Sequence, residues 1–157
     1  LDEADLRTRC QHAGIEPQTQ NDIPTDKTFS TDLDLVHQIT NVLVNNACRH
    51  AVPDEAHAKK SKPAVLVHLV AANGHVQVNV IDSGPGIDRS DAHGIFKPFR
   101  RGKKADVKAH GGIGLGLALA RSWASLLGGK LELAHRHHPA YGGAHFRLTL
   151  PTEIKQN

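Results

Sequence analysis

The chain has 157 residues, enough for one domain built on one core. Its 39% hydrophobic and 22% charged residues are ordinary for a soluble globular protein. No apolar run approaches membrane-spanning length, and the first twenty or so residues show no signal-peptide pattern. The net charge of +3 is weakly basic, and four Phe, one Trp and one Tyr leave little to stack bases, which argues against a nucleic-acid partner. The two cysteines, Cys10 and Cys48, suggest no disulfide framework; they read as free thiols in a reducing compartment, with no second cysteine at zinc-ligand spacing.

In chain order, residues 3–13 form a short helix that Gly14 ends, and 15–30 read as two short edge strands or a loop. Thr31 or Asp32 caps a helix running to about His50, with Leu35, Val36, Ile39, Val42, Leu43 and Ala47 on its apolar stripe. Pro53 ends it, and the polar stretch 54–63 is a linker. An apolar strand over 64–71 meets the hairpin signal Asn73-Gly74, and the return strand alternates through Val76, Val78 and Val80 to Asp82. Residues 88–111 show little periodicity. Helix 114–127 follows, with Leu115, Ala118, Leu119, Ser122 and Leu126 on one face, and Gly128-Gly129 stops it. Two last strands, over 130–134 and 144–150, flank a loop carrying His135, His137 and His138, which reads as a solvated hairpin tip. The sum is an α+β two-layer sandwich: a mixed, mostly antiparallel sheet with helices on one face.

Four segments carry chemistry. Asp82-Ser83-Gly84-Pro85-Gly86-Ile87 places a carboxylate at a strand end, able to accept a hydrogen bond from an exocyclic amine such as that of adenine, or to bond backbone amides in a tight turn. Gly111-Gly112-Ile113-Gly114-Leu115-Gly116 runs straight into a helix whose free amides favour anions, but it has neither the Gly-Lys-Ser/Thr ending of a P-loop nor a preceding strand. Asn46 lies on the core-facing stripe of the helix 32–50, with Arg49 and His50 three and four residues on; an amide oxygen suits Mg²⁺ and an arginine suits phosphate. The segment 88–111 is long and basic, carries Phe96 and Phe99 as anchors, and has the character of a lid over an anion.

In order and spacing these segments resemble the motifs of the histidine kinase catalytic domain, a member of the Bergerat-fold ATPase superfamily. Residues 38–51 resemble the N box, 82–87 the G1 box, 95–99 the F box and 112–117 the G2 box, and the ending 143–151 resembles the family's last strand; the match covers roughly residues 30–151. The resemblance implies ATP and Mg²⁺ as cofactors. Asn46 would coordinate the Mg²⁺ on ATP, Arg49 would contact phosphate and His50 would pack near the nucleotide. Asp82 would read the adenine amine, with Gly84, Gly86 and Ile87 beside the ring. Arg101 would reach phosphate, and Gly112, Gly114, Leu115 and Gly116 would seat the phosphates.

Val42 stands where the gyrase branch carries a water-activating Glu, and Ala144 stands where the family often has Thr near the adenine. None of the twelve histidines is followed by an acidic residue, as the phosphoacceptor signature requires. The expectation is a catalytic domain, 31–157, preceded by a helix and edge strands, 1–30, that lead from a missing dimerisation domain. It would transfer the γ-phosphate to a histidine on that separate domain, with a response regulator downstream. It would be cytoplasmic, with any membrane attachment in missing parts of the protein. The alternatives are a stand-alone serine kinase of the anti-sigma type, an ATP-hydrolysing machine, which Val42 disfavours, and a non-catalytic nucleotide sensor.

Overall fold

The computed structural model describes residues 3–11, 14–26, 29–51, 64–100 and 114–152. Among them run α1 (Glu3–Gln11), β1 (Glu16–Asp22), α2 (Leu33–His50), β2 (Ala64–Ala72), β3 (His75–Asp82), α3 (Arg89–Ala92), α4 (Gly116–Leu126), β4 (Lys130–His135) and β5 (His145–Pro151). The strands form a five-stranded sheet in the order β1-β2-β3-β5-β4. All neighbours are antiparallel except the edge strand β1, which pairs parallel to β2. The expected α+β sandwich is therefore present. The segment expected to hold two edge strands or a loop supplies one strand instead, continuous from Glu16 to Asp22 in spite of Pro17. An edge position tolerates such a residue because one side of the strand needs no ladder partner.

The local signals explain the elements. The Asp32 carboxylate accepts from the Leu35 N–H at 3.1 Å, capping α2. Asn73 and Gly74 both take positive φ, as a type I′ turn requires, and they join β2 to β3 with Ala72 opposite His75. Gly128 takes φ +68° and closes α4 through its N–H to the Ser125 carbonyl.

Alternation then decides the faces. Val78 and Val80 on β3, Phe146, Leu148 and Leu150 on β5, and Leu131 on β4 turn towards the helices and join Ile39, Leu43, Val44 and Ala47 of α2 in the core. The opposite face of the sheet is polar at Asn79, Glu132, His145 and Arg147.

Helix α4 presents a different face from the one its sequence stripe suggested. Ala120 and Ala124 are fully buried, with Leu117, Trp123 and Leu127 against the core, whereas Leu119 and Leu126 are 44% and 76% exposed. The helix is apolar on more than one side, so periodicity alone could not choose. The small alanines win the inner face because they let α4 approach α2 and the sheet closely.

The cysteines also depart from expectation. Cys10 of α1 and Cys48 of α2 form a disulfide, with Cα atoms 5.5 Å apart, and both side chains lie in the core. Thirty-eight residues separate them, so a pairing set by how α1 lies on α2 left no mark in their spacing.

Leu43 is fully buried at the centre of this packing. Leu43→Ala should destabilise the chain by about 2–5 kcal/mol, seen as a lower urea midpoint at unchanged m-value.

Candidate nucleotide site

The site grows from the end of β3. Asp82 is 4% exposed, and its Oδ1 accepts two backbone N–H bonds, from Gly84 at 2.9 Å and from Ala144 at 3.2 Å. The Asp82 main chain is held as well: its N–H donates to the Ala144 carbonyl, and its own carbonyl accepts from Gly143. Burial pushes the carboxyl pKa up to about 6, and the two amide donors only partly offset that rise. The turn reading and the ligand reading of Asp82 are thus both physically available, one oxygen being committed to the turn.

Neighbouring residues bring other elements to this point. Ser83 is buried, donates its hydroxyl to the Ala51 carbonyl beyond the end of α2, and accepts from the Ala64 N–H at the start of β2. A Cβ on Gly84 would collide with the His50 carbonyl, so the missing side chain is what lets the end of α2 lie against this loop. Gly86, at φ +74°, lies under the His137 ring and the Arg136 carbonyl, and Arg136 O accepts from the Ile87 N–H at 3.0 Å. The β4–β5 connection, expected to be a solvated tip, is therefore folded back onto the loop 82–87. Its Tyr141 hydroxyl reaches Gln18 on β1 at 3.0 Å. These closures depend on long-range backbone contacts that local sequence could not announce.

Helix α2 contributes Asn46, half-buried, with Arg49 and His50 more exposed in its last turn. Desolvation, with a smaller contribution from the Arg49 charge, holds the His50 pKa below the usual imidazole value. Val42 packs towards the first residue of α4, where a Cβ on Gly116 would meet its Cγ1 at 3.2 Å. Gly116 thus serves the contact between the two helices. The Asn41 Oδ1 is the buried side-chain oxygen that lacks a hydrogen-bond partner among the described residues.

Helix α4 starts without a side-chain cap at Leu115. Gly114, at φ +77°, packs on the backbone of Phe99 and Arg100 and accepts from the Phe99 N–H at 3.0 Å. The loop 82–87 therefore adjoins the end of α2, while Phe99 and Arg100 adjoin the start of α4, which meets α2 at Val42. Arg101 and Gly112 lie outside the described residues. Of the two aromatic anchors expected in 88–111, Phe96 is one: it meets Phe146 edge-on at 6.1 Å, with the Arg121 guanidinium over its ring. Phe99 is 75% exposed and sits at φ +61°, so it anchors nothing among the described residues.

Sequence reasoning passed over Ser83 and Gly143. Both sit beside Asp82, but their roles depend on strands distant in sequence. A Cβ on Gly143 would overlap the Asp82 carboxylate and main chain. Gly143→Ala should destabilise the fold by about 1–3 kcal/mol or more, because the obstacle is backbone, and a lowered thermal midpoint would report it.

Residues 31–154 match the family of histidine kinase-, DNA gyrase B-, and HSP90-like ATPases. The chain is 34% identical over 147 residues to the sensor histidine kinase MtrB of Mycobacterium tuberculosis (strain H37Rv), covering 90% of this chain and 23% of MtrB. It is 29% identical over 149 residues to the autoinducer 2 sensor kinase/phosphatase LuxQ of Vibrio vulnificus (strain CMCP6), covering 94% of this chain and 16% of LuxQ. The chain thus spans less than a quarter of these relatives. Among solved structures, the mycobacterial sensor histidine kinase MprB superposes with a TM-score of 0.67 at 21% identity, covering 96% of each chain. Full-length ShkA in complex with AMPPNP superposes with a TM-score of 0.74 at 24% identity, covering 98% of this chain and 29% of that one. At those identities the superpositions speak for the fold, and the match over 31–154 speaks for descent: the chain belongs to the histidine kinase-, DNA gyrase B- and HSP90-like ATPase family.

Proposed function

We propose that this chain is the ATP-binding catalytic domain of a sensor histidine kinase, presenting the γ-phosphate to a histidine on a separate dimerisation domain, from which a response regulator would take it. The observation that carries the reading is the buried Asp82 carboxylate, fixed through Oδ1 by two backbone amides at the meeting point of α2, β3 and β5. A carboxylate held this way presents its second oxygen with little freedom, which suits an adenine amine. Ala144 meets Asp82 through its backbone N–H, so the missing threonine hydroxyl leaves that bond in place.

Gly84, Gly86 and Ile87 would border the ring. Arg49 and Arg101 would face the phosphates, His50 would pack near the nucleotide, and Gly112, Gly114, Leu115 and Gly116 would seat the phosphates at the uncapped start of α4. Residues 1–30 would lead in from the dimerisation domain. In such a protein the domain would work in the cytoplasm, where reducing conditions would keep Cys10 and Cys48 as thiols rather than bridged.

The residues present fit a cation carried in by the nucleotide. No group of three His, Cys, Asp or Glu side chains among the described residues could hold a metal, whereas Mg²⁺ needs few protein ligands when phosphates and water supply the rest. Asn46 would provide the amide oxygen. The bound ion would neutralise charge on the transferring phosphoryl group. The chain's own residues orient the nucleotide, and Val42, packed on α4, offers no base to activate water.

A non-hydrolysable ATP analogue should bind the folded chain, more tightly with Mg²⁺ than without; absence of a binding heat with Mg²⁺ would defeat the proposal. Asp82→Asn should weaken binding about tenfold or more, since a hydrogen bond to a charged acceptor is worth about 1.5–3 kcal/mol. Alone, the chain should release phosphate from ATP slowly, because lacking a positioned base forgoes roughly 10²–10⁴-fold. With the cognate dimerisation domain added, radiolabelled γ-phosphate should move to an acid-labile phosphohistidine. Rapid phosphate release by the chain alone would indicate an ATP-hydrolysing machine, and acid-stable phosphoserine on a partner a serine kinase.

A further inference from the structure

The chain's two cysteines, separated by 38 residues, meet in the core between α1 and α2. Helix α1 is a weak element by itself, because nine residues are too few for a helix to persist in water without packing. Its packing is narrow. Leu6 and Cys10, one turn apart and so on one face, are fully buried, whereas Ala4, Arg7, Thr8 and Gln11 are exposed. Cys48, near the end of α2, is 7% exposed and belongs to the same core. A polar contact accompanies the pair: the Arg9 guanidinium donates to the Asn45 side-chain oxygen at 3.2 Å, at an exposed position where water competes for both groups.

With Cα atoms 5.5 Å apart, the two positions suit a bridge without movement of either helix. In a reducing compartment the same positions carry thiols, which pack as small apolar side chains. The docking of α1 therefore has two strengths, and a two-electron reaction chooses between them.

We propose that Cys10 and Cys48 form a reversible thiol–disulfide site that clamps α1 onto α2 when oxidised and loosens it when reduced, the oxidant being a low-molecular-weight disulfide. Local opening of α1 admits the reagent. One cysteine thiolate attacks it and expels the first small thiolate; the other cysteine thiolate attacks the mixed disulfide and expels the second. Two protein thiols become one disulfide, the reagent disulfide becomes two thiols, and the protons given up by the cysteines end on the leaving thiolates. The closed loop spans β1 and most of α2, so the bridge removes much freedom from the undocked chain. Asn46 and Cys48, two residues apart, lie on opposite sides of α2, so the bridge acts on the docking of α1 and not on the nucleotide face. Its consequence rests on the kinase reading: α1 belongs to the segment that would lead in from the dimerisation domain, and the clamp would limit how far the nucleotide site swings towards an acceptor histidine.

The test incubates the 157-residue chain with oxidised or reduced glutathione, blocks remaining thiols by alkylation and maps the products by mass spectrometry. Hydrogen exchange and thermal melting are then measured on each form. The expected result is an intramolecular Cys10–Cys48 bridge, α1 amide exchange slowed at least about tenfold on oxidation, and a thermal midpoint about 5–15 °C higher, all reversed by a dithiol reductant. Cys10→Ala should show no such rise in midpoint, and affinity for an ATP analogue should be the same in both forms of the wild type. Two alkylatable thiols persisting in the folded chain under oxidised glutathione, glutathione adducts in place of the bridge, or a bridge that leaves α1 exchange unchanged would overturn the proposal. Failure of the analogue to bind either form would strike the kinase reading alone, since the thiol and exchange results need no nucleotide.

Discussion

Burial of the Asp82 carboxylate is the constraint on which the rest of this structure depends. A carboxyl at 4% exposure is unfavourable to ionise unless donors meet it, and Gly84 and Ala144 supply the donors from their backbones. Those amides come from opposite sides, one from the loop after β3 and one from the start of β5. Holding the carboxylate therefore holds the strand pair, and Gly143 must be a glycine for the chain to come that close. Ser83 extends the arrangement to Ala51 and Ala64, bringing the end of α2 and the start of β2 to the same few residues.

The glycines acquire a more specific meaning in this setting. Gly84 and Gly86 admit the His50 carbonyl and the His137 ring, and Gly116 admits Val42. Each first serves a close approach within the protein. A motif of glycines can thus be required by packing within the protein itself. The same holds for Val42, an apolar side chain that joins two helices where it meets Gly116.

Much of this was legible in the sequence, where signals are local. The Asp32 cap, the Asn73-Gly74 turn, the alternation of β3 and the Gly128 stop each depend on a few adjacent residues, and each formed as read. What stayed hidden depends on contacts between distant segments. The face of α4 was decided by how closely Ala120 and Ala124 let it approach its neighbours. The Cys10–Cys48 disulfide depends on how α1 lies on α2. The parallel pairing of β1 and the folding back of the 136–144 connection are likewise tertiary choices. At the candidate site, the motif residues Asn46, Asp82 and Gly114 could be named from order and spacing, but the backbone donors to Asp82 could not.

The most direct measurement of the central claim is the proton count on nucleotide binding. The Asp82 carboxyl, raised to about 6 by burial, is partly protonated near that pH in the free chain, and an adenine amine selects the ionised form. Calorimetry of ATP-analogue binding near pH 6, in two buffers of different ionisation enthalpy, should show net proton release that fades by pH 8 and is smaller in Asp82→Asn, where only the terminal phosphate still gives up protons. Proton release unchanged by Asp82→Asn, or binding with no proton release near pH 6, would contradict the assignment of Asp82 as the group that reads the base.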